Sequence, residues 1–531
     1  MNYKSTIFIF IIVGLLLAAC SSSSADNAET EQDKKDHLIL AVGGEPEDGF
    51  DPTTGWGRYG SPLFQSTLLK RDKEFTIQND LATGYDVSEN RLVWTVKIRD
   101  DVSFSDGEPL TAEDIAFTFE TAATSSSVID LTNLEKVEMV DPYTVKFFLK
   151  QPQSTFVHSL VSTGIVPKHV YNENYNENPI GSGPYMLEQW DKGQQLIVKA
   201  NPEYYGEEPY FKKLTFLFLS EDAAFAAANA GEVDIAAISP AFANQDVPGM
   251  DLKALDSVDN RGVMFPTVPE GGKTEQGLPI GNDVTADLAI RKAINIGIDR
   301  QSLVDGVLAG YGTPAYTEND GLPWWNPETV IEGGNLERAG KILKDAGWQK
   351  SEKGILKKNG LEATFKLLYP AGDQIRQSLS ITLADMMEPL GIIIKAEGKS
   401  WNEIERMQHS TPVMMGFGNY NPIESFNLFS SSTQGEGWLN AGFYSNPTVD
   451  KYMEQALAAS SEAEAIQYWQ KAQWDGETGY SVKGDAAWAW LVNLKHLYLV
   501  KEGLDIGEQK VHPHGHGWPI TDVITQWHWE K

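Results

Sequence analysis

The chain has 531 residues, and 74 acidic against 43 basic side chains give it a formal net charge of −31. That excess of negative charge argues against nucleic acid and anionic lipid surfaces as partners, since both attract basic patches. A single cysteine excludes an intrachain disulfide and a thiolate metal centre, while 41% hydrophobic residues over this length suffice for at least two cores.

At the N-terminus, Lys4 precedes an apolar run from Ile7 to Leu17. The run is about half the ~20 residues a membrane-spanning helix needs, so it reads as an export signal. Leu17-Ala18-Ala19-Cys20 follows and resembles the bacterial lipobox. Cys20 is therefore expected to carry acyl chains such as palmitate, which would hold the mature chain at the extracytoplasmic face of the cell membrane. Residues 21–37 are polar and poor in aromatics; they cannot bury enough apolar surface to fold and read as a flexible tether.

Beyond the tether, strand and helix signals alternate. Leu38–Val42 reads as a buried strand and Val93–Ile98 as a half-buried one. Asp106-Gly107 makes a turn before a helix capped by Thr111, with Asp114 placed to complete a capping box. Val145–Leu149 and Leu214–Leu219 are further strands. Ala223–Ala230 is an alanine-rich helix stopped by Gly231, and Ala286–Ile298 and Leu336–Ala346 are helices of similar length. No repeat or composition break marks a domain boundary. No Gly-x-Ser-x-Gly elbow, His-Glu-x-x-His pair or paired metal carboxylates suggest a hydrolase, so a non-enzymatic role is expected.

The segment Val93-Trp94-Thr95-Val96-Lys97-Ile98-Arg99-Asp100-Asp101-Val102-Ser103-Phe104-Ser105-Asp106-Gly107, with its capped helix, resembles the signature of the family-5 extracellular solute-binding proteins. Gly181-Ser182-Gly183-Pro184-Tyr185, Asn201-Pro202-Glu203-Tyr204-Tyr205, Gly231-Glu232-Val233-Asp234, Ile290-Arg291-Lys292-Ala293 and Ala346-Gly347-Trp348 follow in the family's order. The resemblance implies an α/β, two-lobed periplasmic-binding-protein fold of class II, with a ligand cleft between the lobes. It implies residues 38–270 as the first lobe with an extra subdomain, 271–495 as the second, and 496–531 returning to the first. It also implies a monomer that closes on its ligand and docks on an ABC permease and its ATPase. Arg291 and Arg300 belong to a family motif and are expected to form structural ion pairs.

For the ligand, His512-Pro513-His514-Gly515-His516-Gly517-Trp518 places three imidazoles at i, i+2 and i+4. Imidazole suits nickel, copper and zinc, so His512, His514 and His516 are candidate metal ligands. His528, between two tryptophans, reads as packed. The histidine segment also resembles the nickel-binding branch of the family, whose members capture nickel with small organic chelators such as free histidine. Arg376 matches the position of a chelator-binding arginine in that branch, and its planar fork suits a carboxylate. The glycine-flanked Trp56, Arg58 and Tyr59, with Trp401, Phe417 and Tyr420, are the candidate cleft walls. An oligopeptide receptor is the alternative. No resident cofactor is expected; nickel or its chelate would be cargo. Because a metal-binding imidazole must be neutral, affinity is expected to weaken below pH ~6.

Overall fold

Two stretches of chain, 256–259 and Lys495, cross between two separate β-sheets. The computed structural model describes residues 36–60, 63–125, 129–515 and 517–531. Cys20, nearly all of the tether and His516 lie outside the described residues. Among the described residues no helix is long and apolar enough to cross a membrane.

The first lobe is built on a seven-stranded sheet whose centre is His37–Ala41. This strand pairs in parallel with Lys213–Leu217 and Ile235–Ala237. Its apolar residues Leu38 and Leu40 are fully buried and pack with Phe216 and Trp518. Each such burial stabilises by roughly 1.5–3 kcal/mol. The extra subdomain is a four-stranded antiparallel sheet, Ala82–Val87, Val93–Ile98, Thr144–Leu149 and Leu134–Asp141, covered by the helix Ala112–Thr124. Thr111 caps that helix with Asp114 in a capping box. Trp94, Phe119 and Phe147 give the subdomain a core of its own.

The second lobe has a six-stranded sheet running from Gly312–Pro314 through Trp488–Leu494, Asn260–Met264, Val413–Met415 and Thr364–Pro370 to Ile393–Lys399. The strand Asn260–Met264 already belongs to this sheet, so the chain leaves the first lobe at 256–259, ahead of the expected boundary at 270. Composition carries no trace of that step, because the strands on either side, Met250–Leu255 and Asn260–Met264, both mix apolar with charged residues. The helices Leu288–Gly297, Leu336–Asp345 and Gln374–Met387 pack on this sheet around Leu367, Leu383 and Leu491. Among the described residues, Arg291 and Arg300 form none of the expected ion pairs. Their guanidiniums donate to backbone carbonyls, those of Asp485, Ala486 and Thr285 for Arg291 and of Ala315, Trp490 and Asn295 for Arg300.

The two lobes touch across the cleft. Ser154 of the subdomain donates from its backbone N–H to Leu457 O (2.7 Å) and from its hydroxyl to Ala456 O (2.8 Å). Arg91 donates to Ala458 O beside them. These carbonyls end the second-lobe helix Pro447–Leu457, whose last turn leaves acceptors over for partners outside the helix. These bonds join the two lobes directly.

Candidate functional site

A cavity of about 1510 Å³ lies between the lobes. One charged part of its wall begins at the first crossing. Asp259 ends the crossing and Arg261 follows it in the strand Asn260–Met264, both buried and paired with each other. Arg376 enters from the first turn of the helix Gln374–Met387, where the N-cap Asp373 accepts its backbone N–H (2.8 Å) and pairs with its guanidinium.

The two guanidiniums meet over Gly416. A Cβ there would lie 2.6 Å from Arg261 Nη1 and 2.9 Å from Arg376 Nη2, so only glycine admits both. Each arginine keeps a buried Nε with no hydrogen-bond partner among the described residues. Burial, then the neighbouring Arg261 charge, lowers Arg376 to about 10, still fully cationic at neutral pH. Such a pair is ready for a carboxylate, which accepts from planar forks on two sides.

The histidine loop reaches the same place. His514 pairs through Nδ1 with Asp259, while His496, next to the second crossing, reaches Asp259 at 3.3 Å. Burial would raise the Asp259 carboxyl, but Arg261, His514 and His496 outweigh it and hold it well below the usual range. Burial also lowers His514 more than Asp259 raises it, so the ring is neutral at pH 7. A carboxylate on one ring nitrogen orients the imidazole, an arrangement also found behind metal-bound histidines.

His512 lines the cavity as well. It is 1% exposed, its Nδ1 lies 3.1 Å from His496 Nδ1, and its backbone bonds Asp256 O and Val258 N at 2.8 Å each. Its ring serves the hinge. No group of three or more His, Cys, Asp or Glu residues among the described residues is arranged to hold a metal ion, so any bound ion would need most of its ligands from a chelator. His528 is exposed, bonded to Gln526 O rather than packed between its tryptophans.

The aromatic expectations divide. Trp401, 45% exposed, lines the cavity 5.7 Å from the Arg376 guanidinium carbon and edge-on to Trp438 at 5.3 Å. Phe417 lines it too, held by reciprocal 3.0 Å bonds with Asn260. Tyr420 crosses the cleft: its hydroxyl donates to Val511 O, its carbonyl accepts from Arg71 (3.2 Å), and its ring meets Phe75 at 5.3 Å. Arg58 and Tyr59 line the first-lobe side, the guanidinium 4.6 Å from the ring. Trp56 does not face the cavity. It packs in the first-lobe core against Phe50 (4.8 Å) and Trp518 (5.4 Å).

Sequence reasoning missed Asp259 and Arg261. The available signal was a charged pair opening the otherwise buried strand Asn260–Met264. It also missed Glu424, a cavity-lining carboxyl on the helix Ile423–Phe429.

Comparison with known proteins agrees with this architecture. The family of bacterial extracellular solute-binding proteins, family 5 Middle, matches residues 76–440. Protein XP55 of Streptomyces lividans is 31% identical over 508 residues, covering 92% of this chain and 89% of that protein. The oligopeptide-binding protein AppA of Bacillus subtilis is 27% identical over 497 residues, covering 85% and 87%. The crystal structure of NikZ from Campylobacter jejuni in complex with Ni(L-His) matches with a TM-score of 0.77 at 25% identity, covering 93% of this chain and 99% of that one. The chain belongs to family 5 of the bacterial extracellular solute-binding proteins, transport receptors of ABC importers rather than enzymes.

Proposed function

We propose that this receptor captures nickel as a complex with a small chelator such as histidine and hands it to an ABC permease. The observation that carries the reading is the meeting of Arg261, Arg376 and the Asp259-bound His514 on one cavity wall. Two guanidiniums suit the carboxylates of an amino-acid chelator, and a neutral, oriented imidazole suits the metal. Trp401 and Phe417 would cover the complex, and closure would remove it from water. The Ni(L-His) complex of NikZ supports the same reading. We further propose that Cys20 anchors the receptor by lipid at the extracytoplasmic face and that it acts as a monomer.

A peptide is the second reading, favoured by the cavity volume of about 1510 Å³ and by the relative AppA, an oligopeptide-binding protein. Titration calorimetry with nickel alone, nickel with L-histidine, and a mixed peptide pool separates the two. Heat with nickel plus histidine only is expected, and Arg376→Ala should weaken it at least ~10-fold, the cost of about 1.4 kcal/mol. Heat with peptides only would move the protein to the peptide reading.

A further inference from the structure

On the second-lobe side, one in the cavity wall and one behind it, lie two carboxyl groups with no part in the chelate reading. Glu318 is fully buried. Its Oε1 accepts from Asn319 Nδ2 (2.7 Å), Ser425 Oγ (2.6 Å) and Tyr480 OH (2.6 Å), whereas Oε2 has no hydrogen-bond partner among the described residues. Glu424 lines the cavity and accepts the backbone N–H groups of Gly418 and Asn419, yet its shielded Oε2 likewise has no partner. Among the described residues no cation pairs with either carboxyl. The charged and titratable neighbours are Asp320 beside Glu318, Tyr480 beneath it, and Tyr59 with the stacked Arg58 across the cleft.

Two neighbouring carboxyls, one buried and one half-buried, that lack a cation do not both ionise readily. Burial pushes Glu318 up to about 7, and burial with the Glu318 charge pushes Glu424 up to about 8. In the empty cleft at neutral pH, Glu424 is therefore mostly neutral.

We propose that Glu424 is a charge-balancing subsite of the cleft, which meets a positively charged group of the ligand and releases its proton to solvent as that group enters. The inference rests on the cavity being the ligand site and adds a property of the ligand: positive charge facing the second lobe. That charge comes from a chelated metal cation or from an ammonium group. With carboxylates at Arg261 and Arg376 and the cation near Glu424, the enclosed charges balance, which a desolvated site requires. The ionised carboxylate also strengthens its bonds from Gly418 and Asn419. It thereby steadies the loop that carries Phe417 and Tyr420, and Tyr420 reaches across to Val511. Proton release and closure of the loop reinforce each other.

The test is calorimetry on the purified full chain at pH 7, in phosphate and in Tris, which differ in ionisation enthalpy. The titrants are preformed nickel–L-histidine and tetraalanine. The expected result is release of close to one proton per ligand at pH 7, with nickel–L-histidine bound about tenfold tighter at pH 9 than at pH 7; tetraalanine, whose own α-ammonium deprotonates at about 8, gains no such slope. Neutral His514 and ionised Asp259 supply no proton in that range. Glu424→Gln should abolish both the buffer dependence and the pH slope. Proton release with the nickel complex assigns the charge to metal, and release with tetraalanine assigns it to ammonium; either supports the proposal. Binding by the wild-type protein without buffer dependence overturns it and leaves the cleft reading intact, whether or not the variant folds. Unchanged proton release by a folded Glu424→Gln protein overturns it equally. Heat from neither titrant removes the cleft reading and the proposal with it.

Discussion

Gly416 shows how one absent side chain sets the chemistry of the cleft. Its missing Cβ leaves room for the Arg261 and Arg376 guanidiniums, and a Cβ would also sit 2.5 Å from Asn260 O, a backbone atom that cannot swing away. Gly416→Ala is therefore expected to abolish ligand binding and lower the melting temperature; calorimetry and thermal unfolding check both. Asp259 is the counterpart charge. Asp259→Asn would leave the buried Arg261 guanidinium short of its carboxylate and His514 without its orienting partner. Breaking a buried ion pair from one side costs about 3–5 kcal/mol, which unfolding in denaturant should register as a lower midpoint.

At the scale of elements, the histidine loop is a piece of the hinge. Its backbone bonds the first crossing at Asp256 and Val258, and its rings link His496 beside the second crossing to Asp259. The glycine-rich loop 416–421 depends in turn on Glu424, whose carboxyl receives two of its N–H groups. Because the Glu424 pKa is raised in the folded state, its favourable contribution is complete below the unfolded value of ~4.3 and is lost as pH rises towards about 8. Glu424→Gln should thus gain stability relative to wild type as pH rises. The two should melt at nearly the same temperature near pH 4.5, and the variant about 2–4 °C higher at pH 8. A melting difference that shrinks with rising pH would contradict the half-buried neutral carboxyl.

Over the whole molecule, the lobes are joined across the cleft at two places. One is Tyr420 against Val511, Arg71 and Phe75; the other is the subdomain donating to the end of the helix Pro447–Leu457. The second latch lies away from Arg376, Arg261 and His514, so it bears on the open–closed equilibrium rather than on ligand contacts. Removing donors with Arg91→Ala and Ser154→Ala favours the open form. A closed-state population reduced tenfold weakens apparent affinity by as much once the open form dominates. Small-angle scattering should show a larger radius of gyration for the liganded double variant, and stopped-flow a faster dissociation.

How much of this was legible beforehand follows from the range over which each feature is encoded. The strand Val93–Ile98, the capped helix beginning at Ala112 and the glycine stop at Gly231 (φ +73°) depend on neighbours a few residues away, and the structure shows them where the pattern places them. Family motifs spread along the chain carried the two-lobed architecture. Excess negative charge and the absence of catalytic motifs narrowed the function to capture. Tertiary structure alone decided that Trp56 fills a core while Trp401 borders the cleft, because both are tryptophans in polar, loop-like surroundings. It alone brought Arg261 to Arg376 and His514 to Asp259, residues separated by 115 and 255 positions in the chain. Those encounters are made by the packing of two sheets and the two crossings between them, and no local pattern of residues encodes a distance across a cleft.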